Sequence, residues 1–295
     1  RHSHGIAVQG INTRMAIAVA LNLIFVMVEG GFGYLSDSVA LVADAGHNLS
    51  DVLGLVCAWT AMVLARRPPG ARFTYGLGRS SVLAALTNAV LLLLACGAIA
   101  WEALGRLGSP PPVAATTVMA VAASGIVING VSACLLHAGS HGDLNRRIAF
   151  IHMLGDAAIS AGVLLSGAAI VFTGWNRLDP IVSLLIVAAI LVSTWGLLRD
   201  SLHLTLDGVP SSINSSAVMS YLADQQGVTD VHDLHIWALS TTSVALTAHL
   251  VVPERGAEEA LLNIVTPDLK RRFHIHHATL QIERDRCEHG CEADV

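Results

Sequence analysis

Charge is what this chain has least of. Only 13% of its 295 residues are charged, against about 25% in an average soluble domain. Lysine is nearly absent, with Lys270 the only one. The deficit is uneven: nearly all long apolar runs lie before Leu206, and the stretch after it reads like an ordinary soluble domain. A net charge of -5 offers no basic surface, which argues against a nucleic-acid partner. The five cysteines make no disulfide framework, because Cys57, Cys96 and Cys134 sit in apolar runs and Cys287 and Cys291 at the end. No cleavable signal peptide is recognisable. The chain opens on Arg1-His2-Ser3-His4 rather than methionine, so further sequence is expected ahead of it. What the chain does have is apolar length, 53% hydrophobic residues and a mean hydropathy of +0.61.

A helix needs about 20 mostly apolar residues to cross the hydrocarbon of a bilayer. Six segments qualify: Met15–Tyr34, Val39–Leu64, Ser80–Leu104, Ala114–Leu136, Ile148–Phe172 and Ile181–Leu198. Turn and breaker residues separate most of them, with Ser36-Asp37 the shortest break and Thr173 to Pro180 the last. Arginine sets the orientation. Arg14, Arg66, Arg67, Arg72, Arg79, Arg146, Arg147 and Arg199 fall on one side, and only Arg106 and Arg177 on the other. The positive-inside rule then puts both termini in the cytoplasm. The expected fold is an all-α polytopic membrane domain of six transmembrane helices over 1–205, followed by a small α+β domain over 206–295 that ends in a Cys/His tail.

Within the second domain, Ser212 to Gln226 has amphipathic helical spacing opened by serine caps. Val228–Leu239, Ser243–Val252 and Ile275–Ile282 read as strands. Ala257–Phe273 is helical in pattern, with Thr266-Pro267 expected to kink or end it.

The chemistry lies in polar residues buried in the apolar runs. His47-Asn-Leu-Ser-Asp51 and His152-Met-Leu-Gly-Asp156 are two copies of His-x-x-x-Asp. On a helix, i and i+4 share a face, so each copy presents an imidazole beside a carboxylate. Ionisable groups in such segments are expensive and functional by default. At 1.5 Å rise per residue, Asp51 lies about 20 Å and Asp156 about 12 Å from the cytoplasmic edge, close enough to meet on neighbouring helices. Two imidazoles with two carboxylates suit zinc or another borderline divalent metal. They suit calcium and magnesium poorly, and the lack of cysteine argues against copper(I). Neutral histidine is the binding form, so metal loading expels protons and protonation expels metal. Asp44 lies on the stripe of His47 and Asp51, and Glu29 shares a face of the first segment with Asn22. Asp44 and Glu29 stand evenly between structural partners and a proton or ion path. Asn22, Asn88 and Asn129 read as interhelical hydrogen-bond partners.

The run Ser38 to Asp51, Asp143-Leu-Asn with His152-Met-Leu-Gly-Asp156, and Val231-His-Asp-Leu-His-Ile-Trp237 together resemble the cation diffusion facilitator family, in particular its bacterial zinc/cadmium/cobalt efflux members. The resemblance covers almost the whole chain. It implies a six-helix membrane domain and a cytoplasmic metallochaperone-like domain, assembled as a homodimer in the bacterial inner membrane. The implied activity is export of Zn2+, and of Cd2+ or Co2+ in some members, in exchange for protons. It places the transport ligands at His47, Asp51, His152 and Asp156. It implies a charge latch between Arg79 and Asp207, and a zinc site in the cytoplasmic domain at His232, His249 and Asp285. Glu283 stands where one relative has a further histidine. The stretch Gly70 to Arg79 lacks the His and Asp that bind metal there in some relatives, so no metal is expected in that loop. Only His137 and His141 remain of a His-rich loop common between the fourth and fifth helices.

Two features stand apart. Cys287-Glu-His-Gly-Cys291 offers two thiolates, with His289 between them, for one soft metal, and His2 or His4 as a further ligand. His203 and Asp207 form a third His-x-x-x-Asp at the membrane boundary, read as linker. The rival readings are an intramembrane metallo-hydrolase with Asp44 as general base, and a membrane zinc sensor whose working part is the second domain.

Overall fold

The structure, a computed structural model, describes residues 13–65, 67–137, 144–254, 256 and 258–285. Six long helices come first: α1 (Thr13–Leu35), α2 (Val39–Ala65), α3 (Ser80–Gly108), α4 (Ala115–His137), α5 (Leu144–Thr173) and α6 (Leu178–Thr205). After them come α7 (Ser215–Ala223), β1 (Asp230–Ala238), β2 (Val244–Val251), α8 (Glu258–Phe273) and β3 (His277–Glu283). The chain divides into two compact units, Arg1–Leu55 with Asn88–Trp195, and Val56–Thr87 with Gly196–Val295.

The first unit is helical. Among the described residues, Ser80–Gly108, Ala115–Cys134, Ile151–Thr173 and Leu178–Thr205 are long and apolar enough to cross a membrane. Side chains such as Phe172, at 88% exposure, and Trp101 and Val192, at 81%, point outward. A face that apolar is natural against lipid and costly against water. The core inside is made largely of small and branched residues, including Ala40, Ala43, Ala122, Val163 and Ile190, with Phe25 and Leu41. Without a hydrophobic drive between helices in lipid, small residues hold them by letting backbones come close. Gly125 of α4 is the sharpest case: a Cβ there would lie 2.7 Å from Phe25 Cζ of α1 and 3.0 Å from Ser160 Oγ of α5.

The three-residue break between α1 and α2, Ser36 to Ser38, closes because Asp37 takes a left-handed φ of 54°. Asp179, in the first turn of α6, then reaches the start of α2. Its carboxylate accepts hydrogen bonds from the Ser38 hydroxyl and, at 2.7 Å, from the Val39 amide. Pro180 falls in that first turn, where a helix has no use for the missing N–H. Three boundaries differ from expectation by about a turn or more. The α3 helix continues to Gly108, α5 starts at Leu144, and α6 runs past Arg199 to Thr205. Hydropathy marks where a helix leaves the apolar layer, whereas the backbone ladder continues until a residue breaks it.

In the second unit the sheet has the order β1-β2-β3, with β1 antiparallel and β3 parallel to β2. The parallel step needs a crossover, and α8 supplies it. One face buries Leu246, Leu250, Val218, Leu222, Leu261, Val265 and Leu269 against α7 and α8. The cap of α7 is Asn214, whose side chain accepts from the Ala217 amide at 3.1 Å, in place of the expected serine. The α8 helix also runs through Pro267. A proline inside a helix costs about 3 kcal/mol. Three buried side chains at about 1.5–3 kcal/mol each, from Leu261, Val265 and Leu269, outweigh that cost. The segment joining α2 to α3 belongs to this unit and packs on its domain. The Arg79 guanidinium pairs with Asp207, the Ser81 hydroxyl accepts from the Thr241 amide at 3.0 Å, and the Tyr75 and His277 rings meet edge to face with centroids 5.4 Å apart.

Candidate metal centres

Both His-x-x-x-Asp pairs lie on unbroken helices, so their side chains share a face as the spacing requires. The structure sets those faces opposite each other, and the pairs cross. His152 Nε2 lies 3.1 Å from Asp51 Oδ2 of the other helix, and His47 Nε2 lies 3.5 Å from Asp156 Oδ1. The contacts within each helix are longer, 3.9 Å for His47–Asp51 and 3.8 Å for His152–Asp156. The imidazoles stand nearly perpendicular, 6.2 Å apart between centroids. Tetrahedral ligands about 2.1 Å from zinc lie about 3.4 Å from one another. The donor separations of 3.1 to 3.9 Å bracket that edge. Asp156 is 3% exposed, while the His152 side chain is 43% exposed, so the centre is closed on one flank and accessible on another. Three donors, from His47, Asp51 and Asp156, lie within 4.8 Å of one another, and His152 stands just outside that group.

A second polar layer lies one turn along both helices. Asp44, three residues before His47, accepts from the Ser160 hydroxyl at 2.8 Å, and Ser160 is four residues beyond Asp156. The Asn48 amide lies 3.1 Å from Glu29 Oε2 of α1 and 3.5 Å from Asp44 Oδ1. Glu29, Asp44 and Ser160 are fully buried. Sequence reading singled out Glu29 and Asp44 and missed Asn48 and Ser160, whose polarity alone carries no signal.

The sheet builds a separate cluster. His232 of β1 and His249 of β2 are direct cross-strand partners, with rings 5.2 Å apart. Glu283, at the end of β3, reaches both: Oε1 lies 3.0 Å from His249 Nδ1 and Oε2 lies 3.3 Å from His232 Nε2. His232 Nδ1 and Nε2, His249 Nδ1 and Glu283 Oε2 are buried, and none makes an aligned hydrogen bond. One donor atom from each of His232, His249 and Glu283 lies within 4.8 Å of the others, a spacing that a metal ion could bridge. A bulge in β1 between His232 and His235 turns Asp233 to a φ of 51° and brings its Oδ2 to 3.5 Å from His249 Nε2. Asp285 lies two residues beyond β3 and is exposed, and it is not in the cluster that His232, His249 and Glu283 form. Strand register explains the difference: Glu283 pairs across from Val251, beside His249, and the strand ends there.

Cys287, His289 and Cys291 lie outside the described residues, as do His2, His4 and His141. His203 does not engage Asp207. Its Nε2 lies 2.9 Å from the Val209 carbonyl, and Asp207 pairs with Arg79.

Long apolar helices around a crossed His/Asp set, joined to a small α/β domain, define an integral membrane transporter of divalent metal cations. The family profile described as "Cation efflux transmembrane domain" matches residues 15–204. That described as "Cation efflux protein, cytoplasmic domain" matches residues 210–285. The chain belongs to this cation efflux family, the cation diffusion facilitators. It is 38% identical over 279 residues to the zinc transporter ZitB of Escherichia coli, covering 94% of this chain and 88% of the relative. It is 37% identical over 292 residues to the metal cation efflux system protein CzcD of Cupriavidus metallidurans, covering 97% and 91%. To the cadmium, cobalt and zinc/H(+)-K(+) antiporter of Bacillus subtilis it is 31% identical over 294 residues, covering 98% and 93%.

Proposed function

We propose that this protein exports Zn2+ from the bacterial cytoplasm in exchange for protons, with His47, Asp51, His152 and Asp156 as the transport ligands. The observation that carries the reading is the crossed pairing, in which each carboxylate faces the imidazole of the other helix at metal-edge distance. Three donors grouped within 4.8 Å, with His152 beside Asp51 as the fourth, favour reversible cation binding over hydrolysis, which needs an open coordination position. Protons entering from outside compete for the imidazole nitrogens and release the metal. Relatives named as zinc transporters and as a cadmium, cobalt and zinc antiporter support zinc first, with Cd2+ and Co2+ as further substrates.

The arginine bias and one helix-end tie support the orientation. Asp179 ties the start of α6 to the start of α2. The other end of α6 leads into the part matched by the cytoplasmic-domain profile. The α1–α2 turn therefore faces outside, and both termini lie in the cytoplasm, in agreement with the arginine bias. The membrane domain takes 1–205 and the cytoplasmic domain 206–295, working as a homodimer in the inner membrane. In the cytoplasmic domain His232, His249 and Glu283 hold a regulatory zinc, with Asp285 available as an outer ligand. Arg79 and Asp207 act as the latch between the α2–α3 segment and the linker, and Cys287, His289 and Cys291 form a separate soft-metal grip.

The test is flux into proteoliposomes. An imposed proton gradient should drive Zn2+ uptake, and Asp51→Ala or Asp156→Ala should abolish it. Normal transport by either variant would refute the assignment. Competition by Cd2+ and Co2+ in the same assay ranks the substrates.

A further inference from the structure

The layer of Glu29, Asp44, Asn48 and Ser160 has no part in the four-ligand site, yet it is built like a binding site. Two carboxyl groups from different helices sit fully buried in the bundle within hydrogen-bond reach of each other, and the other side chains they bond are Asn48 and Ser160 rather than arginine or lysine. The Asn48 amide, a donor with partial positive charge, lies between them, at 3.1 Å from one and 3.5 Å from the other. It occupies the place where a bridging cation would neutralise both. Glu29 Oε1 is buried and accepts no hydrogen bond among the described residues. A buried carboxylate oxygen left without a donor is costly unless something fills that role in the working cycle.

We propose that Glu29 and Asp44, with the side-chain oxygens of Asn48 and Ser160, form a second, all-oxygen station for the exported divalent cation, one turn outward from the transport site. This rests on the transport reading above. The step is short: three residues from His47 to Asp44 is about 4.5 Å of helix rise, and four from Asp156 to Ser160 about 6 Å. The direction is outward, since the layer lies on the α1–α2 turn side of the four ligands. The chemistry suits release. Imidazole suits zinc, whereas carboxylate, amide and hydroxyl oxygens suit harder ions and hold zinc less tightly. A cation displaced from the imidazoles by protons finds a weaker site between it and the exterior. Asn48 permits this by rotating its amide, which exchanges the donor for the carbonyl oxygen. Gly125 leaves room for Ser160 here, because any Cβ there would crowd its hydroxyl at 3.0 Å.

The test reads the ligand atoms directly. In the purified full-length chain carrying Asp51→Asn and Asp156→Asn, added 113Cd2+ should give an NMR resonance in the all-oxygen range. Adding Glu29→Gln or, separately, Asp44→Asn should remove that resonance, and Glu29→Asp should retain it. Two removing variants keep the outcome from hanging on the folding of one. In the otherwise unaltered chain, Glu29→Gln should lower maximal flux on the order of tenfold, about 1.4 kcal/mol of barrier, without raising the half-saturating metal concentration. An absent all-oxygen resonance, or one that survives both Glu29→Gln and Asp44→Asn, overturns the proposal. Failure of the unaltered chain to move metal under a proton gradient would instead refute the transport reading, whatever the spectrum shows.

Discussion

Removing the Asp179 carboxylate should loosen the N-terminal end of α2, the helix that carries two of the four proposed transport ligands. Asp179 is 2% exposed and accepts from the Ser38 hydroxyl and the Val39 amide, the first N–H of α2. Ser38 Oγ in turn accepts from the Leu41 amide at 3.1 Å, so one carboxylate organises the whole first turn. A hydrogen bond to a charged group is worth about 1.5–3 kcal/mol. Two of them give about 3–6 kcal/mol before credit for no longer burying a charge. A net of about 3 kcal/mol is the working figure, and at 1.4 kcal/mol per decade it is about a hundredfold. Amide hydrogen exchange over residues 38–42 of the full-length protein in detergent reads this directly, with protection falling about a hundredfold in Asp179→Ala. Asp179→Asn keeps one acceptor and should lose about one decade. His47 lies two turns further along α2, so the half-saturating metal concentration should rise in the Ala variant more than in the Asn variant. Exchange unchanged within about threefold in Asp179→Ala would refute the reasoning, because a buried cap worth under 1 kcal/mol cannot be organising that turn.

Three further outcomes are expected. His249→Ala should remove the sheet cluster's share of the zinc-dependent rise in the melting temperature of the full-length chain, a stabilisation of about 2.7 kcal/mol at a hundredfold excess of metal over Kd. A thermal scan with and without Zn2+ checks it. Gly125→Ala should destabilise the helical bundle by about 1–3 kcal/mol through overpacking against Phe25, read as a lower detergent melting temperature with reduced flux. Burial and the Asp268 carboxylate push the Tyr221 phenol above its ordinary value. The neutral form is therefore favoured by the fold, and its contribution is complete below about pH 10 and fades as pH rises through the higher folded value. Tyr221→Phe should flatten that alkaline loss in a pH series of melting temperatures.

Legibility tracked the range of each interaction. The six membrane helices could be read because about 20 apolar residues in a row have one reading. Their ends could not, since Arg199 to Thr205 look soluble and yet continue α6. The proline in α8 shows propensity losing to packing: Thr266-Pro267 predicts a break, and the buried row of Leu261, Val265 and Leu269 holds the helix together. Asp179 looked like part of a loop between two apolar runs. Its role as a cap on α2 depends on two helix ends meeting across nearly half the chain, and local pattern cannot report that.

The two candidate metal centres differ in the same way, for a chemical reason. The His47/Asp51 and His152/Asp156 pairs each lie within about one helical turn, so each pair writes half of the one candidate ligand set locally, and the repeat points to the other half. The sheet cluster takes one donor from each of three strands, and its third member depends on the parallel register of β3 against β2. Sequence resemblance pointed to Asp285 there, whereas register brings in Glu283. A shift of two residues along a strand keeps the same face and moves the carboxylate about 7 Å. Strand periodicity therefore cannot separate the two acids, and only the position where β3 stops pairing does. The distinction bears on affinity. Glu283 approaches both imidazoles at 3.0 and 3.3 Å, so His232, His249 and Glu283 form a half-closed set that a fourth ligand must complete. Asp285, on the exposed segment just past the sheet, is the fourth ligand proposed above. Zinc stoichiometry measured on Asp285→Ala against Glu283→Ala separates the two roles: loss of metal with Glu283→Ala alone assigns the core of the site to the strand, and equal loss with both assigns a four-ligand set.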